Sequence, residues 1–260
     1  MYPIAAVTSL FLYSYYTRIR SNSSAKDIVH FHESTLNIAP RFITSLITSG
    51  IRQYLLWGLN SRIILDGDDF PDKPTIFVSN HNSVLDAILL SSMPYGSFSE
   101  KKPYTLCGSK NFDMIRGYLF GLGKATPVHV NDKEQVQSNN ENILAIHHLL
   151  DNSSNLLIFP EGKINKELGE FKSGVAHFQQ YAGQHQIVPI AHIGFEKILP
   201  LDDDENVIYS SVQSNQTVRI RFGKPFTTHG MSKEDIVEKC RNEVNSLLEQ
   251  LVKANNEICQ

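Results

Sequence analysis

From Pro74 onwards, short apolar runs alternate with longer amphipathic stretches, and this alternation limits the possible folds more than any other feature. The apolar runs predict strands, which are PTIFVSN, YTLCG, KATPVHV, NLLIFP, QIVPIAHI and TVRIRFG. The longer stretches predict helices, which are SVLDAILLSSM, NFDMIRGYLFGLG, KEQVQSNNENILAIHHLLD, FKSGVAHFQQYAG and a last helix that begins at Ser232. Strands and helices in this order build a mostly parallel sheet flanked by helices. We therefore predict an α/β fold of that kind.

The composition excludes several classes of function. The net charge of -3 provides no basic excess, so we predict no nucleic-acid partner. The three cysteines, Cys107, Cys240 and Cys259, lie far apart and form no CxxC pair, which argues against a disulfide framework and a zinc knuckle. HExxH is absent, and His147 and His148 are adjacent on a predicted helix and face different directions. We therefore expect neither a metal nor a cofactor.

Two apolar regions precede the alternating pattern. Tyr2–Tyr16 is shorter than the ~20 residues that usually span a bilayer, and basic residues follow it. Ile38–Leu65 has apolar residues at helical spacing with regularly placed arginines, and Tyr54 and Trp57 lie among them. Such a segment fits a helix in the membrane interface, and equally a helix that covers a core.

The apolar N-terminal region and the alternating pattern suggest two parts. We predict an N-terminal membrane-associated helical segment over residues 1–68, in contact with the membrane surface. Residues 69–260 then form the folded α/β domain, in which we find no internal repeat. Clustered carboxylates in LDDDEN lack the spacing of a calcium loop and predict a solvated insertion.

Reactive side chains follow four of the predicted strands. They are His81 and Asp86 after TIFVS, His129 after ATPV, Glu161, Gly162 and Lys163 after LLIFP, and His192 after IVPIA. Ligands of open parallel sheets bind beyond the carboxyl ends of the strands. This placement predicts a functional site at that edge of the sheet.

The stretch NHNSVLDA places His81 five residues before Asp86. On a regular helix the two side chains would point about 140° apart, so they meet only if His81 precedes the helix and leans over its first turn. Ser83 suits the N-cap of such a helix. Asp86 in the first turn is also favourable for the helix dipole without any function. In the functional interpretation, Asp86 holds the imidazole tautomer while His81 accepts a proton from a substrate hydroxyl, because GxSxG is absent.

FPEGK, at Phe159–Lys163, ends a buried strand with a carboxylate, a glycine and a cation, and Lys172 follows in EFKSG. Gly162 allows a ligand to approach the backbone, and lysines beside it suit a phosphate. A tight turn with solvent-exposed lysines explains the same residues without a ligand.

Together these residues resemble the glycerolipid acyltransferase family that carries an HxxxxD motif, and within it the tafazzins. The resemblance rests on VSNHNSVLD (Val78–Asp86), GLGKATPV (Gly121–Val128), FPEGKIN with EFKSG (Phe159–Asn165 and Glu170–Gly174), and VPIAHIGFEKILP (Val188–Pro200). Lysine after FPEG and the HIGFEKILP ending are similar to tafazzins rather than to CoA-dependent relatives. The GLGKATPV block lacks an arginine that many CoA-dependent relatives have.

The resemblance implies a glycerolipid acyltransferase-like fold and residue roles within it. His81 is then the base, Asp86 orients it, and Glu161 and Gly162 help to hold the glycerol backbone. The lysines that the resemblance places near phosphate or in a second basic element are Lys163, Lys172 and Lys124.

The implied activity is CoA-independent acyl transfer between a phospholipid and a lysophospholipid, which remodels cardiolipin at mitochondrial membranes, in particular the inner membrane. Two alternatives stay open. One is an acyl-CoA-dependent lysophosphatidate acyltransferase. The other is an acyltransferase fold that serves as a structural subunit of a mitochondrial membrane complex.

Overall fold

The described part of the chain folds around one sheet. The computed structural model describes residues 50, 53–67, 73–92, 103–108, 125–128, 136–202 and 207–258. The strands in these residues are β1 (Arg62–Gly67), β2 (Thr75–Ser79), β3 (Tyr104–Gly108), β4 (Ala125–Val128), β5 (Leu156–Ile158), β6 (Gln186–Ile193) and β7 (Thr217–Phe222). They lie in the order β1-β7-β6-β2-β5-β3-β4. Neighbours run parallel except β6 and β7, so the predicted α/β fold with a mostly parallel sheet is confirmed.

Helices cover both faces of this sheet. They are α1 (Val84–Ser92), α2 (Val136–Asp151), α3 (Gly174–Tyr181), α4 (Phe195–Ile198) and α5 (Lys233–Ile258). All five residues of β2 are buried, which explains why TIFVS is a continuous run rather than an alternating one. Ile76 and Val78 pack with α2, α3 and α5 on one face, and Phe77 packs with α1 and α4 on the other.

From Pro74 onwards, the predicted elements are found where the structure describes them. α5 is preceded by Ser232, where the sequence predicts the last helix to begin, and Ser232 forms a capping box: Asp235 N–H donates to Ser232 Oγ at 3.1 Å, and Ser232 Oγ contacts the Asp235 carboxylate. The predicted helix over residues 111–123 lies outside the described residues, as do Lys124 and His129.

The structure corrects the helical prediction at the end of Ile38–Leu65. Tyr54–Gly58 forms a π-helical turn, but the following residues form β1. β1 pairs in parallel with β7, so that Ile64 lies opposite Arg219. Extended backbone suits the β-branched Ile63 and Ile64, and the partner strand provides hydrogen bonds that a helix would otherwise make internally. The sheet therefore starts inside the stretch that the sequence assigned to the N-terminal segment.

The N-terminal membrane helices stay a prediction. Within the described ranges, no helix has both the length and the apolar character that a membrane span requires. Tyr2–Tyr16 and half of Ile38–Leu65 lie outside these ranges. In the π-helical turn, Leu55 is buried while Tyr54 and Trp57 are exposed, the latter by 80%. These two aromatic side chains are therefore available for the predicted contact with a membrane surface.

Candidate active site

Three loops meet where β2, β5 and β6 end. These strands are neighbours in the order β6-β2-β5 and run in the same direction, so their carboxyl ends share one edge of the sheet. The loops that follow carry Asn80–Ser83, Pro160–Asn165 and Gly194. The strand order thus brings together three of the four strand ends that the sequence singled out.

His81 and Asp86 are in direct contact. His81 Nδ1 lies 2.9 Å from Asp86 Oδ1 and 3.1 Å from Oδ2. α1 begins at Val84, so His81 precedes the helix and reaches over its first turn, as the spacing requires. Ser83 Oγ accepts the Leu85 N–H at 3.3 Å, in the position of an N-cap.

The Asp86 carboxylate is buried and accepts several hydrogen bonds. Its Oδ2 accepts the backbone N–H groups of Asn82 and Ser83, both at 3.0 Å. Burial alone would raise the pKa of Asp86, but the charge and hydrogen bond of His81, the neighbouring His192 ring and the Ser83 N–H together lower it. Asp86 is therefore an anion held in one position by the start of α1.

The position of His81 fixes which of its nitrogens is reactive. Nδ1 faces two carboxylate oxygens and therefore carries the proton, an assignment made from the hydrogen-bond network. The ring stacks on Phe159 with centroids 4.4 Å apart, and its side chain is 18% exposed. Nε2 is consequently an unprotonated acceptor on a partly open ring, which is the form that a general base requires.

Glu161 lies beneath His81 and contacts its main chain. Its Oε1 accepts the His81 N–H at 2.8 Å. Its Oε2 accepts the Gly169 N–H at 2.8 Å and also contacts Asn165 Nδ2. Asn165 N–H donates in turn to the His81 carbonyl at 2.8 Å. Burial raises the pKa of Glu161, although its hydrogen bonds with Gly169, His81 and Asn165 act to lower it. Glu161 is only 3% exposed, and its hydrogen bonds hold the loop Asn80–Ser83, called here the His81 loop, in position.

The glycine and the two lysines after Glu161 surround a turn. Gly162 has a φ of +69°, which favours glycine, and its N–H donates to the Phe159 carbonyl at 3.0 Å. A Cβ at this position would lie 2.8 Å from Lys172 Nζ, so the Lys172 ammonium lies directly over Gly162. Lys163 and Lys172 are both exposed. The structure thus places two cations beside the edge that carries His81, and Lys124 is outside the described residues.

Sequence reasoning missed two polar side chains that support the His81 loop. The Asn80 side chain accepts the His192 N–H at 3.0 Å and donates to the His192 carbonyl at 3.1 Å. Asn82 Nδ2 donates to Glu196 Oε2 at 3.1 Å, and Glu196 also accepts the Gly194 N–H. Asparagine on both sides of a histidine at the end of a buried strand is the signal that was available in the sequence.

A metal has no evident place at this edge. Among the described residues, no group of three or more histidine, cysteine, aspartate or glutamate side chains is arranged to hold an ion. Asp86 and Glu161 both use their oxygens for protein donors. The chemistry that these residues offer is proton transfer at His81 Nε2.

The sequence model of the Acyltransferase family matches residues 62–193, from the start of β1 to the end of β6. The chain belongs to this family. The matched acyltransferase region contains the His81–Asp86 pair and the Glu161 loop, so membership in the family and the geometry concern the same residues.

Curated acyltransferases similar to this chain are named for one substrate. A probable 1-acyl-sn-glycerol-3-phosphate acyltransferase of Mycoplasma pneumoniae is 25% identical over 51% of this chain and 49% of its own length. A chloroplastic 1-acyl-sn-glycerol-3-phosphate acyltransferase of Arabidopsis thaliana is 25% identical over 66% of this chain and 44% of its own. The chain thus spans about half the length of these relatives or less.

A crystal structure of an acyltransferase has the same fold. The 1-acyl-sn-glycerophosphate acyltransferase PlsC from Thermotoga maritima aligns with a TM-score of 0.59 over 85% of each chain, at 17% identity. The predicted acyltransferase-like fold is therefore confirmed. The resemblance to the wider family is also confirmed, whereas the Mycoplasma and Arabidopsis relatives are not tafazzins.

We expect proton transfer at this site to depend on the protonation of His81. Burial alone would lower the pKa of His81, but the charge and hydrogen bond of Asp86 and the charge of Glu161 give a net increase above 6.5. The base is active when neutral, so kcat/KM is expected to rise with pH and to reach half its maximum above pH 6.5. A pH profile of kcat/KM measures this, and a midpoint below 6.5 would contradict the geometry.

Proposed function

We propose that this protein transfers an acyl chain from acyl-CoA to the free hydroxyl of 1-acyl-sn-glycerol-3-phosphate. The observation that carries the proposal is the contact of His81 Nδ1 with the buried Asp86 carboxylate, which leaves Nε2 as a base on a partly exposed ring. The named substrate of the curated relatives supports the choice of acceptor.

The reaction follows from this arrangement. His81 Nε2 removes the proton of the acceptor hydroxyl, and the oxygen attacks the carbonyl carbon of the acyl thioester. A C–O bond forms and gives a tetrahedral oxyanion. Its collapse breaks the C–S bond, and the imidazolium returns the proton to the leaving thiolate. Asp86 stabilises the imidazolium between these two steps, so no covalent enzyme intermediate is needed.

The phosphate of the acceptor suits the lysines at the Gly162 turn. Lys172 Nζ lies over Gly162, and Lys163 is exposed in the same turn. The Gly162 N–H is already used by the Phe159 carbonyl. The ammonium groups rather than this backbone N–H therefore provide positive charge for a phosphate or an oxyanion in this proposal.

A second proposal differs in the donor. In a tafazzin-like transacylation, the acyl group comes from a phospholipid, and the acceptor is a lysophospholipid such as lysocardiolipin. Lys163 after FPEG and the HIGFEKILP segment favour it, and the structure places Glu196 of this segment against Asn82 beside the base. A mitochondrial inner-membrane location and membership of a membrane complex belong to this second proposal.

Acyl transfer by the purified chain tests both proposals. Labelled oleoyl-CoA or labelled phosphatidylcholine serves as donor in mixed bilayers, with lysophosphatidate or lysocardiolipin as acceptor, and His81→Ala as the control. Transfer that requires oleoyl-CoA and disappears in His81→Ala supports the first proposal. Transfer from phosphatidylcholine without CoA supports the second. No His81-dependent transfer from either donor would reject both and favour a structural subunit.

Replacing Lys172 by glutamine is expected to raise KM for lysophosphatidate about tenfold, with a smaller effect on kcat. The expected change corresponds to the loss of one charge-assisted phosphate contact of about 1.4 kcal/mol. Steady-state kinetics with varied lysophosphatidate measures it. Lys224→Gln is the matched control, since it removes an exposed charge just after β7, at the opposite edge of the sheet. Equal KM values for both variants would contradict a phosphate contact at Lys172.

A further inference from the structure

His192 is a buried histidine that contacts the side of Asp86 remote from solvent. It is the seventh residue of β6, and both its side chain and that of Asp86 are fully buried. Its Nε2 lies 2.8 Å from the Asn80 carbonyl oxygen and 3.5 Å from Asp86 Oδ2. The Asp86 carboxylate therefore lies between two imidazoles, one partly exposed and one enclosed.

The contacts of His192 define its tautomer and charge. Two acceptors face Nε2, so this nitrogen carries a proton. Nδ1 is buried and has no hydrogen-bond partner among the described residues. A protonated ring would leave an Nδ1–H without an acceptor, whereas the neutral ring leaves only a lone pair. His192 is thus a neutral ring whose Nε2–H donates to the Asn80 carbonyl and also faces Asp86 Oδ2.

Further hydrogen bonds make His192 a firm support. The Asn80 side chain bonds both the N–H and the carbonyl of His192, and the His192 ring meets Phe195 edge to face at 5.1 Å. The next residue after Asn80 is His81. A change at His192 therefore reaches the base along two routes, through the Asp86 carboxylate and through the Asn80 main chain.

We propose that His192 is a positioning residue for the His81–Asp86 pair. His192 fixes the loop at Asn80, and its Nε2–H weakens the electrostatic effect of the Asp86 charge on His81. This inference rests on the proposed function for its effect on turnover. Its effect on His81 itself does not depend on which acyl donor or acceptor the protein uses.

The proposal predicts a direction for the pH dependence. Among the described residues, the charged or titratable groups that face His192 are Asp86, Glu196 and His81, and those that face His81 are Asp86, Glu161 and, across Asp86, His192. Without the Nε2–H of His192, the negative charge of Asp86 acts more strongly on His81 and favours the imidazolium. Removing this N–H is therefore expected to move the titration of His81 to higher pH.

Three variants separate positioning from packing. His192→Phe keeps a buried ring but removes the N–H, and His192→Gln restores an N–H at the Nε2 position. His185→Phe is the matched control, because His185 is also buried, bonds the Ser154 carbonyl through Nε2 at 3.1 Å and has an unpartnered Nδ1. His185 precedes β6, at the opposite edge of the sheet from His81.

The first measurement is the titration of His81 by NMR in full-length protein with ¹³C-labelled histidine, assigned with His81→Ala. The His81 midpoint is expected to rise in His192→Phe and to stay at the wild-type value in His192→Gln and His185→Phe. An unchanged midpoint in His192→Phe would overturn the proposal. If that variant does not fold, His192→Asn replaces it, since the shorter amide does not reach the Nε2 position.

The second measurement is the pH profile of acyl transfer with the same variants. In His192→Phe the acid limb of kcat/KM is expected to move in parallel with the NMR midpoint, and kcat to fall about ten- to a hundredfold. A loss of kcat equal to that of His185→Phe, with the same pH profile, would mean that His192 only packs. If the wild type transfers no acyl group, the proposed function fails, whereas the NMR titration still decides the role of His192.

Discussion

Replacing Asp86 by asparagine is expected to lower kcat about 10³- to 10⁴-fold while KM changes little. The side chain keeps its shape, so the fold around α1 is preserved. Its oxygen, however, is required by the N–H groups of Asn82 and Ser83, which both donate to Asp86 Oδ2. The amide NH₂ of the asparagine is then the group that faces His81 Nδ1.

This orientation reverses the tautomer of His81. An NH₂ group donates to Nδ1, which must then be unprotonated, and the ring proton moves to Nε2. Nε2 is the nitrogen that accepts the proton of the substrate hydroxyl, so the base is blocked. The imidazolium also loses the carboxylate that stabilises it. Both effects act on the transition state rather than on substrate binding, so kcat falls while KM changes little.

Steady-state kinetics of Asp86→Asn beside Asp235→Asn provide the measurement. Asp235 is an exposed capping residue of α5, and its replacement changes the same functional group far from His81 in sequence. The capping variant is expected to keep wild-type kcat. An Asp86→Asn enzyme with more than a tenth of wild-type kcat would show that His81 does not depend on the carboxylate for its tautomer.

The sequence was sufficient for the parts of the site that are local in the chain. His81 and Asp86 are five residues apart, and the geometry of a helix start decides whether they meet. The strands were also predictable from local sequence, because a continuous apolar run such as that of β2 indicates a strand buried on both faces. No knowledge of distant segments was needed for either inference.

Glu161 and His192 were predicted to lie at this edge, but their contacts with the His81 loop were not predictable, because those contacts depend on strand order. Glu161 and His192 reach the His81 loop only because β5 and β6 lie on either side of β2. A mostly parallel pattern of strands does not specify that order. The sequence also failed at β1, whose pairing with β7 joins segments about 155 residues apart, for example Arg62 with Thr217. Tertiary pairing there outweighs the helical spacing of the preceding apolar residues.

Glu161 is the residue whose interpretation changes most between sequence and structure. The resemblance implies that it holds the glycerol backbone, yet its two oxygens already accept three protein donors, at His81, Gly169 and Asn165. Because both Glu161 oxygens are used by protein donors, Glu161 acts on the base by holding the His81 main chain in position. Glu161→Gln therefore distinguishes the two roles, since it keeps the shape of the side chain and changes one acceptor into a donor.

In Glu161→Gln, at least one of these donors loses its acceptor whichever way the amide is turned. We expect the free energy of unfolding to fall by about 1–3 kcal/mol, the usual cost of a buried donor without a partner. If the NH₂ group faces the His81 N–H, the repulsion shifts the base, and kcat is expected to fall up to about a hundredfold with KM nearly unchanged. Urea denaturation and steady-state kinetics measure the two effects, with exposed Glu170→Gln in the same loop as the control. A variant of wild-type stability and kcat but with a raised KM for lysophosphatidate would instead assign Glu161 to the substrate, because a group that binds substrate equally in the ground and transition states affects KM alone.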